Sequence, residues 1–409
     1  MEQSWDRDRI VFKNIDFSKL RSLIVFGKWE EFFISESMKV LRVLDLEDAS
    51  GVTNKDIKNM LKLLPCLKFL SLRGCSEINY LPSSVGELRQ LQILDVRYTN
   101  IVTIPVSITK LKKLQYIRAG PTAPPEDPSA PHTVAFKLSE LRRCLQLVGV
   151  EVMSGIGELT ALHTLGVINI SEAEGKVILK ELKNLTQLRN LECLGMLPEN
   201  TNETAIKLQS LKLYGPLEKL PKWINKNKQL CNLKKLNLEL DILSTNDIKV
   251  LGELQELCIL RLRVKPSQED MMLNFCVVME GVEDHSYKRI KVLEIASRSS
   301  LQLTFGSAPR AMQNLELLYA GCCTSGSPLQ LDGLQHLFKL KEVRVIGSND
   351  ETLKTNLERQ FANRTSKPAL RLENVVPRTE ATAGPNDQHY SFPFYCTTRS
   401  SPGMQSPCQ

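Results

Sequence analysis

Eleven cysteines and five histidines are the residues of this 409-residue chain best suited to chemistry. Cys75 stands out, because it follows Gly74 in the stretch Leu67–Val96, LKFLSLRGCSEINYLPSSVGELRQLQILDV. A catalytic thiol needs a base within reach. The histidines (His132, His163, His285, His336, His389) lie far apart in sequence, and none falls beside Cys75 in the repeat register described below. Cys322 and Cys323 are adjacent rather than spaced as C-x-x-C, which argues against a zinc site. The chain shows no G-x-x-x-x-G-K-[ST] phosphate loop, no G-x-G-x-x-G after a strand and no H-E-x-x-H pair. The expectation is therefore no catalytic residue, no cofactor and no metal, and a protein that is not an enzyme.

The elements around Cys75 explain it better. Leu67-x-x-Leu70-x-Leu72 returns as Leu91-x-x-Leu94-x-Val96. The same L-x-x-L-x-L frame begins at Leu20, Leu41, Leu67, Leu91, Leu114, Leu145, Leu162, Leu188, Leu208, Leu233, Leu257, Ile290, Leu315 and Leu340, with most steps between 20 and 26 residues. That period belongs to leucine-rich repeats. Each motif alternates apolar and polar positions like a strand with one buried face. The expected fold is an α/β leucine-rich repeat solenoid, a horseshoe with a parallel sheet on its concave face. No repeat can bury its own apolar side, so the array must stack cooperatively. With the first leucine as position 1, Cys75 is position 9, where such repeats place Asn, Cys or Thr to satisfy turn backbone. Thr99 holds that position in the next repeat. Leu81-Pro82 begins the return segment, where no ladder N–H is needed.

The periodicity divides the chain. Residues 1–19 are expected to cap the core, residues 20–119 form five N-terminal repeats, and 120–137 form a Pro-rich loop around PTAPPEDPSAP. Residues 138–376 hold nine C-terminal repeats, and 377–409 read as a disordered tail. The long step from Leu257 to Ile290, containing QEDMMLNFCVVMEGVEDHSY, predicts an added helix.

Positions 3, 5 and 7 should face away from the core. Position 3 gives Val43, Phe69, Ile93 and Tyr116, a row large enough for a protein interface of a few hundred Å². Position 5 gives Asp45, Ser71, Asp95 and Arg118, and position 7 gives Glu47, Arg73, Arg97 and Gly120. Glu47 beside Arg73 and Asp95 beside Arg118 should compensate across strands on a solvated face, leaving Arg73 beside Arg97 as a like-charged pair. Val43, Phe69, Ile93 and Tyr116, with Arg73, Arg97 and Arg118, are the candidate protein-binding residues. In the C-terminal block position 3 becomes mixed: Thr164, Asn190, Ser210, Lys235, Ile259, Val292 and Leu317.

The net charge of +7 is spread along the chain and does not argue for nucleic acid. No segment has 18 uncharged apolar residues, so no membrane span is expected. Cysteines scattered without paired spacing point to a reducing compartment, hence the cytoplasm.

The stretches LRSLIVFGKWEEFFISESMKVLRVLDLE, LKFLSLRGCSEINYLPSSVGELRQLQILDVRYTNIVTIP and GIGELTALHTLGVINI resemble the leucine-rich repeat region of plant intracellular nucleotide-binding disease resistance proteins. The likeness is to their coiled-coil class in grasses and covers about residues 10–375. It implies a cytosolic recognition region of plant defence whose partner is a nucleotide-binding receptor module or a pathogen effector. Those proteins carry a coiled coil and a nucleotide-binding module before the repeats, which the residues here do not show. The expectation is a fragment, a truncated product or a module acting in trans. The alternative is an intracellular scaffold or adaptor of the Ras-group-related repeat type, whose repeats are more uniform than the C-terminal block here.

Overall fold

A computed structural model of the chain describes residues 10–120 and 150–373, apart from 13, 153, 170–176, 179, 195–207, 222–223, 225–229, 265–270, 276–286, 298–299, 307–311, 323–328, 347–350 and 365. The expected Pro-rich loop and C-terminal tail lie outside the described residues. Sixteen strands form one parallel sheet, fourteen of them in single file in chain order from Ser22–Ile24 to Ala369–Glu373. Each strand pairs in register with the next, as in Val43↔Phe69↔Ile93↔Tyr116.

The repeat motif accounts for every layer. Positions 1, 4 and 6 point into the core: Leu67, Leu70 and Leu72, or Leu257, Leu260 and Leu262, are at most 1% exposed. Each such leucine contributes roughly 1.5–3 kcal/mol of burial. A second row lies three residues before position 1. Met38, Leu64, Leu88, Leu111, Leu159 and their successors are buried, and their carbonyls accept the N–H of position 1 at 2.8–3.4 Å. This turn resets the chain direction before every strand.

In the N-terminal repeats the strand stops at position 5. Gly27, Asp48, Gly74 and Tyr98, all at position 8, have φ between 58 and 83°. Left-handed backbone there turns the chain out of the sheet. The returns then differ. Thr53 opens the helix Asn54–Leu63 with a reciprocal cap to Asp56. Pro82 and Pro105 open the 3-10 turns Ser83–Glu87 and Val106–Lys110. These two turns touch: a Cβ on Gly86 would sit 2.4 Å from the Ser107 carbonyl oxygen.

Three expectations need correction. The strand of the Leu145 register has no place in the file, because Tyr116–Arg118 pairs directly with Thr164–Asn169. Leu145 itself is outside the described residues, and the nearby strand Val150–Val152 lies off the file, against Thr103–Ile104. The fourteenth strand is instead Ala369–Glu373, whose motif begins with Lys367 and so escapes a leucine count. The helix expected within 268–287 is absent from its described part. Met271–Asn274 is a strand, in a second parallel sheet with Leu301–Thr304 and Leu329–Asp332. Phe275 stacks on Phe305 at 5.6 Å and meets the Tyr287 edge at 5.7 Å, and the Tyr287 hydroxyl donates to the Ile248 carbonyl at 2.6 Å. A buried phenylalanine directly follows each of the first two back strands, Phe275 and Phe305, and Gly333 follows the third.

At the N-terminal end, Phe12 and Phe17 pack against the core, with ring centroids 4.5 Å apart, and Phe12 meets Phe33 at 5.6 Å.

Candidate functional site on the concave face

Cys75 is part of the turn. Its thiol is 2% exposed and donates to the Leu46 carbonyl at 3.1 Å, and burial pushes its pKa up to about 12. Thr99 does the same work one repeat on, donating to the Val96 carbonyl at 2.7 Å. Each adds a donor to a position-6 carbonyl just past the strand, Cys75 to that of the preceding repeat, which also accepts the Ala49 N–H at 3.0 Å, and Thr99 to that of its own repeat. Among the described residues no three of His, Cys, Asp and Glu converge into a metal-holding group.

The strand face carries the side chains left for recognition. Val43, Phe69, Ile93 and Tyr116 form one in-register row, and all four are half-buried rather than exposed. Flanking rows lean on them. Tyr116 meets the His163 ring edge-on at 5.8 Å, which extends the row into the next repeat. The Arg118 guanidinium lies 5.9 Å from the Tyr116 ring centre.

The charged rows are self-paired, as expected, but the face is not uniformly solvated. Ser71 is 2% exposed and Asp95 3%. Asp95 is held by Arg97 at 2.5 Å and Arg118 at 3.7 Å, and it accepts the Arg97 N–H at 3.2 Å. The Asp95 carboxylate in turn raises the Arg97 pKa, so that guanidinium stays charged. A buried carboxylate requires such partners. Arg73 pairs with Glu47, and its guanidinium lies 5.3 Å from the Tyr98 ring. The like-charged neighbours Arg73 and Arg97 are therefore separated by turning to different acids. The buried Nε of Arg73 has no acceptor among the described residues.

Tyr98 and His163 were missed as members of this strip. An Arg at position 7 followed by an aromatic at position 8 is the signal for the first. Nothing in the sequence marks the second, because His163 stands at position 2, one residue before Thr164, the strand partner of Tyr116, and reaches the row through its ring alone. In the C-terminal block the same face is mixed: Ile259, Val292 and Leu317 form a second in-register, half-buried apolar row, beside the ion pairs Lys212–Glu192 at 2.5 Å, Arg261–Glu294 at 2.8 Å, and Arg344 and Arg371 both on Glu342 at 2.8 Å.

A single file of parallel strands, with a leucine core behind it and registered side chains in front, defines a leucine-rich repeat solenoid. The chain belongs to the leucine-rich repeat region family, whose model matches residues 19–369. It is similar to the disease resistance protein Pik-2 of Oryza sativa subsp. japonica, 25% identical over 423 residues, covering 89% of this chain and 40% of that protein. It is also similar to the disease resistance protein RGA4 of the same source, 26% identical over 299 residues and covering 66% of this chain and 29% of that one. The chain thus spans less than half the length of these relatives. Among solved structures, a leucine-rich repeat protein of Leptospira interrogans aligns with a TM-score of 0.47 at 16% identity, over 84% of this chain and 74% of that one. Among the described residues no helix is long and apolar enough to cross a membrane.

Proposed function

We propose that the chain is a non-catalytic recognition module of plant innate immunity that works in the cytoplasm by binding protein. The observation that carries this is the strip of Val43, Phe69, Ile93 and Tyr116, in register and flanked by Arg73, Arg97 and Arg118. Its apolar side chains are partly open, and its guanidiniums are held in place by acids and rings. A partner docking there would gain apolar burial. The similarity to rice disease resistance proteins supports a nucleotide-binding receptor module or a pathogen effector as that partner.

The test is the double substitution Phe69→Ser with Tyr116→Ser. The fold should survive, with unchanged far-ultraviolet circular dichroism, and capture of the partner from infected plant tissue should be lost. Unfolding of the double variant would make the strip core and sink the reading. Capture of small GTPases by the wild-type chain would favour the Ras-group-related scaffold.

A further inference from the structure

The solenoid has a second surface with a marked chemistry, the rim where the strands begin. Take the two residues before each position 1 and the one after it. Among the described residues fifteen of these are Lys or Arg, and two are acidic, Glu256 and Glu316. The whole chain has 53 basic and 46 acidic residues, so outside this rim acid exceeds base. The net positive charge of the protein is therefore concentrated on one edge.

The backbone places these residues in a line. The N–H of each position 2 donates to the carbonyl of the position 2 before it, at 2.7–2.9 Å, from Arg42 on Arg21 through to Lys341 on Glu316. Neighbouring members are thus one strand spacing apart, about 4.8 Å. Arg21, Arg42, Arg189, Lys234 and Lys341 are exposed along it. Three rim cations meet an acid: Lys112 on Glu158, Arg289 on Glu256 and Lys341 on Glu316, at 2.5–2.7 Å. These pairs are solvent-exposed and hold little energy. Arg21, Arg42, Lys68, Arg89, Arg189 and Lys234 have no ion-pair partner among the described residues. Arg21, Arg42 and Lys68 are like charges at successive strand spacing and repel one another, so an acidic occupant would relieve that repulsion.

We infer that this rim binds an acidic polypeptide stripe. Carboxylates three or four residues apart on a helix lie about 5–6 Å from one another, close to the rim's own repeat. Sequence-tolerant binding of single-stranded nucleic acid needs aromatic platforms between the cations, and the rim's one exposed aromatic is Phe338. A membrane surface would need interleaved large apolar side chains, and among the described residues Val40 and Phe338 are the exposed large ones at these positions, with the smaller Pro65, Cys66 and Cys231. Charge complementarity with a carboxylate surface is what remains.

The test is fluorescence anisotropy of a labelled 21-residue poly-glutamate peptide against the full chain at low salt. Replacing Arg42, Lys68, Lys234 and Lys291 together by Glu should weaken binding at least tenfold. The same charge change on the return helices, at Lys58 and Lys62 of Asn54–Leu63, Lys249 of Thr245–Gly252 and Arg359 of Glu351–Gln360, should weaken it less than threefold. The Phe69→Ser, Tyr116→Ser chain should bind the peptide normally, which separates this surface from the concave strip. Equal loss in both fourfold variants would reduce the effect to net charge and overturn the proposal. So would tighter wild-type binding to a duplex DNA oligonucleotide or to phosphatidylserine vesicles. Should the rim variant fail to fold, hydrogen exchange on the wild-type chain decides. Protection by the peptide within 39–42, 65–68, 232–234 and 288–291 is expected, and protection confined to the concave strands would overturn it.

Discussion

In the N-terminal repeats the strands Val43–Asp45, Phe69–Ser71 and Ile93–Asp95 end after three residues, whereas Lys235–Leu240, Ile259–Val264, Val292–Ser297 and Leu317–Cys322 run for six. Position 8 decides between them. Asp48, Gly74 and Tyr98 are left-handed there, and the chain leaves the sheet. Leu240, Val264, Ser297 and Cys322 occupy the same position as extended strand residues. Apolar and β-branched side chains favour the pleated surface, while Gly and Asp tolerate the turn. One position per repeat thus sets the width of the strand face. The narrow half carries the row from Val43 to Tyr116, and the wide half carries the shorter apolar row Ile259, Val292 and Leu317 beside a ladder of ion pairs, with a second sheet behind it.

The comparison can be broken most forcefully on the wide side. Gly333 follows the back strand Leu329–Asp332 at φ 83°, and a Cβ there would lie 1.6 Å from the Phe305 carbonyl oxygen. Gly333→Ala must move backbone, and should cost about 3 kcal/mol or more from strain and overpacking together. The check is the urea midpoint, with hydrogen exchange expected to rise in residues 301–346 and to stay unchanged in residues 41–97. Uniform loss of protection would mean that the two halves unfold as one unit.

On the narrow side the corresponding change is smaller. Tyr98→Val places a β-branched residue at φ 58°, and should destabilise by about 1–2 kcal/mol, the scale of the left-handed penalty. It also removes the ring beneath Arg73. Valine already sits at this position as Val264, in a strand. If position 8 controls strand length, hydrogen exchange in the variant should show new protection after Asp95. A neutral Tyr98→Val, with no change in exchange, would remove position 8 as the cause.

The sequence carried much of this in its leucines. Their period located thirteen of the fourteen filed strands, because positions 1, 4 and 6 must all be apolar for the core to close. The left-handed position was not legible, since Gly27, Asp48, Gly74 and Tyr98 share a conformation and not a residue type. The back sheet had a signal that was passed over: Leu301-Gln302-Leu303 and Leu329-Gln330-Leu331 alternate as strands do. The strip was legible as a row, because register follows from the repeat. The partners of Tyr116 were not, because the His163 ring and the Arg118 guanidinium beside it depend on rotamers that spacing does not fix.

The smallest expected effect concerns the thiols, and it contrasts a turn residue with its surface neighbours. Cys66 and Cys231 are exposed, whereas Cys75 and Cys193 are buried. Burial raises the pKa of both buried thiols, that of Cys75 to about 12. At pH 8 the native chain should therefore react with iodoacetamide at Cys66 and Cys231 and spare Cys75 and Cys193, as read by peptide mass mapping. The sign for stability follows from the raised pKa in the fold. The thiol's contribution is complete below its unfolded pKa of about 8.5 and declines as pH rises from there toward about 12, where the folded group also ionises. Cys75→Thr keeps a hydroxyl donor for the Leu46 carbonyl, as Thr99 does for Val96, and should shift the unfolding midpoint less than Cys75→Ala, which leaves that carbonyl only the Ala49 N–H and should cost at most about 1 kcal/mol. Fast alkylation of native Cys75 at pH 8 would return it to the list of reactive groups and undo its assignment to the turn.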